Sequence, residues 1–151
     1  MLNLSTKSRY GLRILLQLAQ CRGSGRSCKV RELAEQQSIS DAYVEQIMIA
    51  LKGSGLVLSA RGRNGGYLLG RVPADITVLD VIELFEGRID LVGCTGPEQR
   101  CARIAGCLSR TVWQRLSEAF RREAAAITLA DILNSPPACV SEYSILIRTG
   151  N

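Results

Sequence analysis

Three cysteines lie close together in the second half of the chain, where their thiols could bind a metal or form a disulfide. Six residues separate Cys94 from Cys101, and five separate Cys101 from Cys107. Thiolates are soft ligands that suit iron–sulfur clusters, Zn²⁺ or Cu(I). Zinc would need a fourth nitrogen or sulfur ligand, and the chain contains no histidine. The spacing favours metal binding over the alternative, a disulfide with one free thiol that acts as a redox switch.

The lack of histidine also limits the reactions that the chain could catalyse. It removes Ser-His and Cys-His nucleophilic catalysis and the commonest general base. The glycine-rich segment 62–66 lies between two short apolar runs rather than before a helix, so it does not match a phosphate-binding loop. The residues therefore predict a protein that is not an enzyme.

Two further cysteines, Cys21 and Cys28, border a segment rich in Gly and Ser. With six residues between them they could bind metal or oxidise. The chain shows no signal peptide and no apolar run near the ~20 residues needed to span a bilayer, which favours a cytoplasmic protein whose cysteines are mostly reduced. We therefore expect Cys21 to be a small buried apolar residue and neither cysteine to have a functional role.

Positive charge is concentrated in the first half of the chain. The net charge is +5, but residues 1–75 hold eleven Lys and Arg against five Asp and Glu, whereas residues 76–151 hold eight against nine. The apolar content of 46% is enough for a folded core. A basic half fits a polyanionic partner if a recognition motif accompanies the charge.

Such a motif lies between residues 29 and 69. Val30–Gln36 has helical apolar periodicity, a turn follows at 37–39, and Ser40 is placed to cap the next helix through its side-chain oxygen. Four apolar residues of that helix fall on one face: Val44, Ile47, Met48 and Leu51. We expect this face to be buried and the opposite face to be free for recognition.

A β-hairpin is predicted after the second helix. Apolar runs at 56–60 and 67–69 flank Asn64-Gly65, a dipeptide typical of type I′ turns. The order helix, turn, helix, hairpin indicates a winged helix-turn-helix, with the hairpin as the wing. The fold class is therefore mainly α with a small β-hairpin wing.

The second helix of the motif should enter the major groove of DNA by its N-terminal end. Glu45 can accept from a cytosine amino group, Gln46 can bind adenine through two hydrogen bonds, and Ser40 and Tyr43 can hold phosphates. An arginine at the hairpin tip can enter a narrow minor groove, and glycines let the backbone approach a sugar-phosphate chain. The remaining candidate DNA contacts are Lys7 and Arg9 of the first helix and Arg61, Arg63, Gly65 and Gly66 of the wing.

Helices also precede and follow the motif. The first covers residues 4–21 with Ser5 or Thr6 as its cap, and a later one begins after Thr77 and ends at Gly87. A long helix begins at Cys107, and a further helical turn or two covers residues 128–134. The predicted domains are 1–75 for DNA binding, 76–135 for the cysteine loop and dimerisation helix, and 136–151 for a C-terminal tail.

The long helix has an apolar stripe that repeats every four residues: Leu108, Val112, Leu116 and Phe120. We expect this stripe to dock on the protein, while Trp113 and Ala119 beside it are covered by a second copy of the helix. A two-fold dimer is the natural arrangement, because a DNA reader of this size gains affinity from two half-sites.

With these residues in place, the chain resembles the IscR/NsrR-type family of iron–sulfur-cluster transcriptional regulators over residues 4–135. The matching segments are Ser-Arg-Tyr-Gly-Leu-Arg at 8–13, Ile39-Ser40 with Tyr43–Gln46, Leu51-Lys52 with Gly55–Val57, Arg61-Gly62 with Gly65–Leu69, the three loop cysteines, Trp113 and Ile127–Ile132. The resemblance implies a homodimeric repressor or activator on a two-fold symmetric duplex operator. It also implies a [2Fe–2S] or [4Fe–4S] cluster that senses redox state, nitric oxide, iron or cluster status.

Carried over by residue, the resemblance assigns base reading to Glu45, a minor-groove contact to Arg61, and cluster ligation to Cys94, Cys101 and Cys107. The family's fourth ligand does not carry over. Arg110 stands where IscR-like members have histidine, and Arg9 or Ser8 where NsrR-like members have an acidic residue. The fourth-ligand candidates are Asp90, Glu98, Ser109, Cys139 and a small exogenous thiol. The alternative function is a cluster-free regulator switched by a partner protein or by cysteine oxidation.

Overall fold

Helices and one antiparallel hairpin account for most of the residues that the computed structural model describes, namely 4–60, 65–96, 101 and 104–135. The helices are α1 (Thr6–Gly23), α2 (Val30–Gln37), α3 (Asp41–Gly53), α4 (Val78–Glu86), α5 (Leu108–Ala126) and α6 (Leu129–Asn134). The hairpin strands are β1 (Val57–Ala60) and β2 (Gly66–Leu69), and they lie between α3 and α4. The predicted fold class is confirmed. None of the described helices is long and apolar enough to cross a membrane.

The turn between α2 and α3 forms as the sequence predicts. Ser38 ends α2 in the left-handed conformation, with φ of 55°. The Ser40 side chain then accepts a hydrogen bond of 3.2 Å from the backbone N–H of Tyr43, so it satisfies one of the free amides at the start of α3. The predicted stripe of α3 is buried: Val44, Ile47, Met48 and Leu51.

The predicted hairpin forms from the two apolar runs. Val57 pairs with Leu69 and Ala60 pairs with Gly66. Asn64 of the predicted Asn64-Gly65 turn lies outside the described residues, so the turn type stays a prediction. A third backbone segment lies beside β2. Cys28 pairs with Tyr67, and a Cβ on Gly66 would lie only 2.6 Å from the carbonyl oxygen of Cys28. Gly66 is therefore needed in the strand, where its lack of a side chain permits this close approach.

The C-terminal helices return to the N-terminal core. Thr77 and Thr128 each cap a helix through a complete capping box, and the two residues form an antiparallel bridge. Gly87 ends α4 with φ of 76°. The buried core is continuous from α1, α2 and α3 to Ile76 and Leu129, which are both fully buried.

The prediction that the α5 stripe docks on its own chain is wrong for its first three residues. Leu108 is 92% exposed, Val112 is 54% exposed and Leu116 is 46% exposed. Phe120, the last residue of the stripe, is half-buried. The buried residues of α5 are Ser117 and Ala124. The first part of the apolar stripe therefore faces away from the described part of the chain.

Candidate nucleic-acid interface and cysteine centres

The outer face of α3 presents the predicted base-reading residues to solvent. Ser40, Glu45 and Gln46 are exposed, and Tyr43 is half-buried. The ring of Tyr43 contacts the ring of Tyr10 edge-on, with centroids 6.0 Å apart and an interplanar angle of 89°. Tyr43 therefore joins α3 to α1 and can offer only its polar end to a phosphate.

One exposed residue of this face, Ile49, is not among the DNA contacts predicted from the sequence. Ile49 is 71% exposed and lies one helical turn after Glu45. Its position outside the buried stripe of α3 could have revealed it. A large apolar side chain there can contact the methyl group of thymine in a major groove.

Basic residues flank α3 on α1 and at the end of the helix. Lys7 and Arg9 are exposed in the first turns of α1, as expected for phosphate contacts. At the other end, the Nζ atom of Lys52 lies 5.9 Å from the centroid of the Tyr67 ring in the wing. Basic groups of α1 and α3 therefore flank α3 within the helix-turn-helix motif.

The wing is described only in part. Gly65 and Gly66 are half-buried, and the close approach made by Gly66 is to Cys28, within the protein. Arg61 and Arg63 lie outside the described residues, so their minor-groove role stays a prediction.

The three loop cysteines are free thiols, each half-buried. Cys107 is the N-cap residue of α5, as the sequence predicts for the start of the long helix. Its sulfur lies 3.2 Å from the Ser109 hydroxyl. That hydrogen bond, together with the backbone amide of Arg110, lowers the pKa of the Cys107 thiol. The Cys107 thiolate, the form that binds metal, therefore forms at a lower pH than in a free thiol.

The donor chemistry of the three loop cysteines suits a soft metal centre, because thiolates bind iron–sulfur clusters and Zn²⁺. In the described residues, the group of potential ligands whose atoms all lie within 4.8 Å of one another is Cys21, Cys28 and Glu32, not the loop cysteines.

The segment before Cys94 is joined to α5 by one hydrogen bond and contains one ion pair. The backbone N–H of Leu91 donates to Ser117 Oγ at 3.0 Å, and Arg88 pairs with Asp90 at 3.4 Å. Arg110, which stands where IscR-like members have histidine, has a buried Nε with no partner among the described residues. A guanidinium supplies no lone pair to a metal, so Arg110 can provide positive charge and hydrogen-bond donors beside the thiolates but no ligand.

The expectation for Cys21 and Cys28 is only partly met. Both are buried, at 7% and 0% exposure, but they form a disulfide rather than remaining as separate thiols. Cys21 lies in the last turn of α1 and Cys28 just before α2, so the intervening loop folds back and brings the sulfurs together. The short separation in the sequence was the signal that pointed to oxidation.

This arrangement of α2, α3 and an antiparallel wing, with a basic face around α3, defines a winged-helix DNA-binding protein. The Rrf2 family model, described as an iron-dependent transcriptional regulator, matches residues 4–135. The chain belongs to the Rrf2 family of transcriptional regulators, and the resemblance predicted from the sequence is confirmed.

Individual relatives agree with this assignment. The protein rrf2 of Nitratidesulfovibrio vulgaris is 36% identical over 138 residues, which is 91% of each chain. The solved structure of CymR from B. subtilis, the global cysteine regulator of that organism, superimposes with a TM-score of 0.74 at 34% identity over 91% of this chain and 100% of CymR. The T. potens IscR structure gives a TM-score of 0.70 at 30% identity, covering 99% of this chain and 93% of its own.

Proposed function

We propose that two copies of this chain bind a two-fold symmetric DNA operator and that an iron–sulfur cluster on Cys94, Cys101 and Cys107 controls their affinity for it. The observation that supports control is a continuous set of contacts from the cysteine loop, through α5 and α4, to the helices that face DNA. The family's description as iron-dependent supports iron as the bound element.

The exposed apolar row of α5 supports the dimer. Val112 and Leu116 line a shallow groove with Ala119, and this groove is bordered by charged residues of the same helix. Exposed apolar rows rimmed by polar groups are typical of protein–protein contacts. A second α5 helix matches the length and shape of the row, and a two-fold pair of helices would set the distance between the two α3 helices.

The first contacts of the coupling route join α5 to α4 and the loop. Arg121 Nε donates to Glu83 at 3.0 Å, and both side chains are about a third exposed or less. The Leu91 N–H bond to Ser117 Oγ holds the segment before Cys94 against the same helix. A change in the order of the loop would therefore alter how α5 meets α4.

The remaining contacts join α4 to α1 and α3. The carboxylate of Glu86, at the end of α4, accepts from the backbone N–H of Ser5 at 2.8 Å and from the hydroxyl of Ser8. It thereby fastens α4 to the start of α1, next to Lys7 and Arg9. The Tyr10–Tyr43 contact then continues from α1 to α3.

In the proposed holoprotein, Cys94, Cys101 and Cys107 hold the cluster. The cluster supplies iron that can change oxidation state or react with nitric oxide. The control of DNA affinity then depends on the chain's own residues. The three thiolates order the loop, and the contacts described above transmit that order to the two α3 helices. A difference of about 1.4 kcal/mol between two arrangements changes operator affinity tenfold.

A cluster-free regulator switched by a partner protein or by cysteine oxidation is the second candidate. The observation that favours it is Arg110, which stands in the first turn of α5 where it cannot act as a fourth ligand. In this case the same contacts would respond to a partner bound near α5.

Anaerobic reconstitution distinguishes the two candidates. We expect protein reconstituted with iron and sulfide to absorb near ~400 nm through thiolate-to-iron charge transfer. Its affinity for a duplex selected by the protein from a random-sequence pool should change by about tenfold or more when iron is removed. Equal affinities before and after removal would exclude cluster control while leaving DNA binding intact.

A matched pair of variants checks the ligands. Cys107→Ser should lose the absorbance and the iron-dependent change in affinity. Thr111→Ser, one turn further along α5 and exposed, should retain both. Retention of the absorbance by Cys94→Ser, Cys101→Ser and Cys107→Ser alike would assign the chromophore to other residues.

A further inference from the structure

We propose that Cys21 and Cys28 form a reversible dithiol–disulfide switch that fixes the root of the wing and acts separately from the loop cysteines. The output of the switch is DNA affinity, so the proposal rests on the DNA-binding part of the proposed function but not on the cluster. The observation that carries it is that the disulfide links the end of α1 to the residue that pairs with β2.

The disulfide joins two elements of the DNA-binding motif. Cys21 lies in the last turn of α1, and Cys28 lies two residues before the start of α2, with a Cα–Cα distance of 6.6 Å. Both side chains belong to the buried core. The cross-link therefore sets where the chain enters the helix-turn-helix.

The position of Cys28 is transmitted directly to the wing. Its backbone N–H donates to the Tyr67 carbonyl at 3.1 Å, and the Tyr67 N–H donates to the Cys28 carbonyl at 2.8 Å. Gly66 packs so closely on Cys28 that a Cβ would lie 2.6 Å from its carbonyl oxygen. Cys28 thus acts as a third strand position beside β2, and a constraint on Cys28 is a constraint on the wing.

The bond is placed so that it can open. Cys21 lines an open surface cavity of about 170 Å³ together with Gln17, Gln20 and Arg26, whereas Cys28 is fully buried. A small thiol can therefore approach Cys21 but not Cys28. The loop between the two cysteines contains Gly25 with φ of 69°, a conformation that glycine adopts without strain.

The chemistry is thiol–disulfide exchange with a small disulfide as the oxidant. The Cys21 thiolate attacks one sulfur of the small disulfide, forms a mixed disulfide and releases one small thiol. Cys28 then attacks the Cys21 sulfur and releases the second small thiol. Two electrons pass from the protein sulfurs to the small disulfide, and the two protons lost by the protein leave on the two small thiols. Reduction is the reverse reaction.

Glu32 adds a charged group to the site. One carboxylate oxygen lies within 4.8 Å of both sulfurs, and Arg26 holds the carboxylate through a 2.7 Å ion pair. In the reduced form these three residues would present two sulfurs and one oxygen to a soft divalent cation such as Zn²⁺. A metal site without any effect on the wing is therefore an outcome that the test must recognise.

The test uses the full chain with Cys94, Cys101, Cys107 and Cys139 all changed to serine, so that a cluster cannot contribute. The protein is equilibrated with mixtures of reduced and oxidised dithiothreitol, and the Cys21–Cys28 pair is followed by alkylation and mass spectrometry. We expect a two-electron transition. On reduction, the Tyr67 amide should exchange its hydrogen about tenfold faster. The Kd for a duplex that the protein selects from a random-sequence pool should rise about fivefold or more.

Two variants provide a mimic of the reduced form and a control. Cys21→Ala should behave as the reduced form at every potential, whereas Gln20→Ala, in the same cavity, should retain the transition. A pair that stays oxidised throughout, or a reduced pair with unchanged Tyr67 exchange, would overturn the switch. Zn²⁺ uptake by the reduced protein with no change at Tyr67 would overturn it in favour of a structural metal site. Because exchange at Tyr67 is measured without DNA, a protein that binds no duplex in either state would refute the proposed function and not the switch.

Discussion

The carboxylate of Glu45 lies on the exposed face of α3, where it can accept a hydrogen bond from a base but repels phosphates. We expect Glu45→Ala to reduce discrimination at one base pair of the selected duplex by about 1–3 kcal/mol, with little loss of affinity for unselected DNA. Competition binding with single-base variants measures this. Glu35→Ala, which removes an exposed carboxylate on α2, is the matched control and should leave discrimination unchanged. Equal losses on every sequence would contradict base reading by Glu45.

The Ser109 hydroxyl beside Cys107 favours ionisation of the Cys107 thiol. Its pKa is lowered first by the Ser109 hydroxyl, so in the apoprotein thiolate should form at a lower pH than in a free thiol. Ser109→Ala should move the midpoint of Cys107 alkylation to higher pH. Residue-resolved mass spectrometry of iodoacetamide-treated apoprotein across a pH series measures the midpoint. Thr111→Ala is the control, and an unchanged midpoint in Ser109→Ala would refute the role of the hydroxyl.

At the scale of elements, the wing depends on close backbone approach. A Cβ on Gly70 would lie 2.1 Å from the carbonyl oxygen of Gly55, so Gly70→Ala must push the end of β2 away from the loop after α3. We expect a loss of about 1–3 kcal/mol in the free energy of unfolding. Gly53→Ala is the control, because its Cβ meets nothing within 4 Å and alanine favours the helix. Urea unfolding of both variants tests this, and equal stabilities would contradict the contact.

The contact between α4 and α1 should depend on pH. Hydrogen bonds from Ser5 and Ser8 lower the pKa of Glu86, so the ionised form is favoured in the folded state. The stabilisation is present above the pKa of the unfolded state and is lost as pH falls through the lower pKa of the folded state. Because the carboxylate is largely solvated, the effect should stay below about 1 kcal/mol.

Glu86→Gln should remove this part of the acid dependence of stability. Thermal unfolding at a series of pH values between 3 and 7 measures it, with Glu123→Gln on the exposed side of α5 as the control. The wild type and Glu123→Gln should lose stability together as pH falls, and Glu86→Gln should lose less. If stability fell equally with pH in all three proteins, the titration of Glu86 would not cause this part of the acid dependence.

Local signals explain which elements were predictable. The caps at Ser40 and Thr77 and the buried stripe of α3 depend on neighbouring residues in the sequence and were predicted correctly, and Ser5 is one of the two caps predicted for α1. The pairing of Cys28 with β2 was not predicted, because it joins residues far apart in the chain. The short separation of Cys21 and Cys28 made oxidation possible, but whether the disulfide forms depends on how the loop after α1 folds back.

At the scale of the whole molecule, the position of α5 was beyond sequence reasoning. Periodicity shows that a stripe is apolar but not which surface covers it. The structure buries Ser117 and Ala124 and leaves Leu108, Val112 and Leu116 exposed. Exposed apolar rows of this kind are typical of protein–protein contacts, and in the proposed dimer the partner is the same row of a second chain.

A carboxylate placed in this row should separate the two chains. In a two-fold interface Leu116→Glu places two carboxylates at once in an apolar contact, where removing each from water is costly. We expect a monomer by analytical ultracentrifugation at concentrations where the wild type is a dimer. Affinity for the two-fold duplex should fall to that for a single half-site. Ala125→Glu introduces the same charge at an exposed position on the opposite side of α5 from Leu116, and should remain a dimer with wild-type affinity. If Leu116→Glu stayed dimeric while Ala125→Glu dissociated, the interface would lie on another face of α5, and the proposed spacing of the two α3 helices would have to be abandoned.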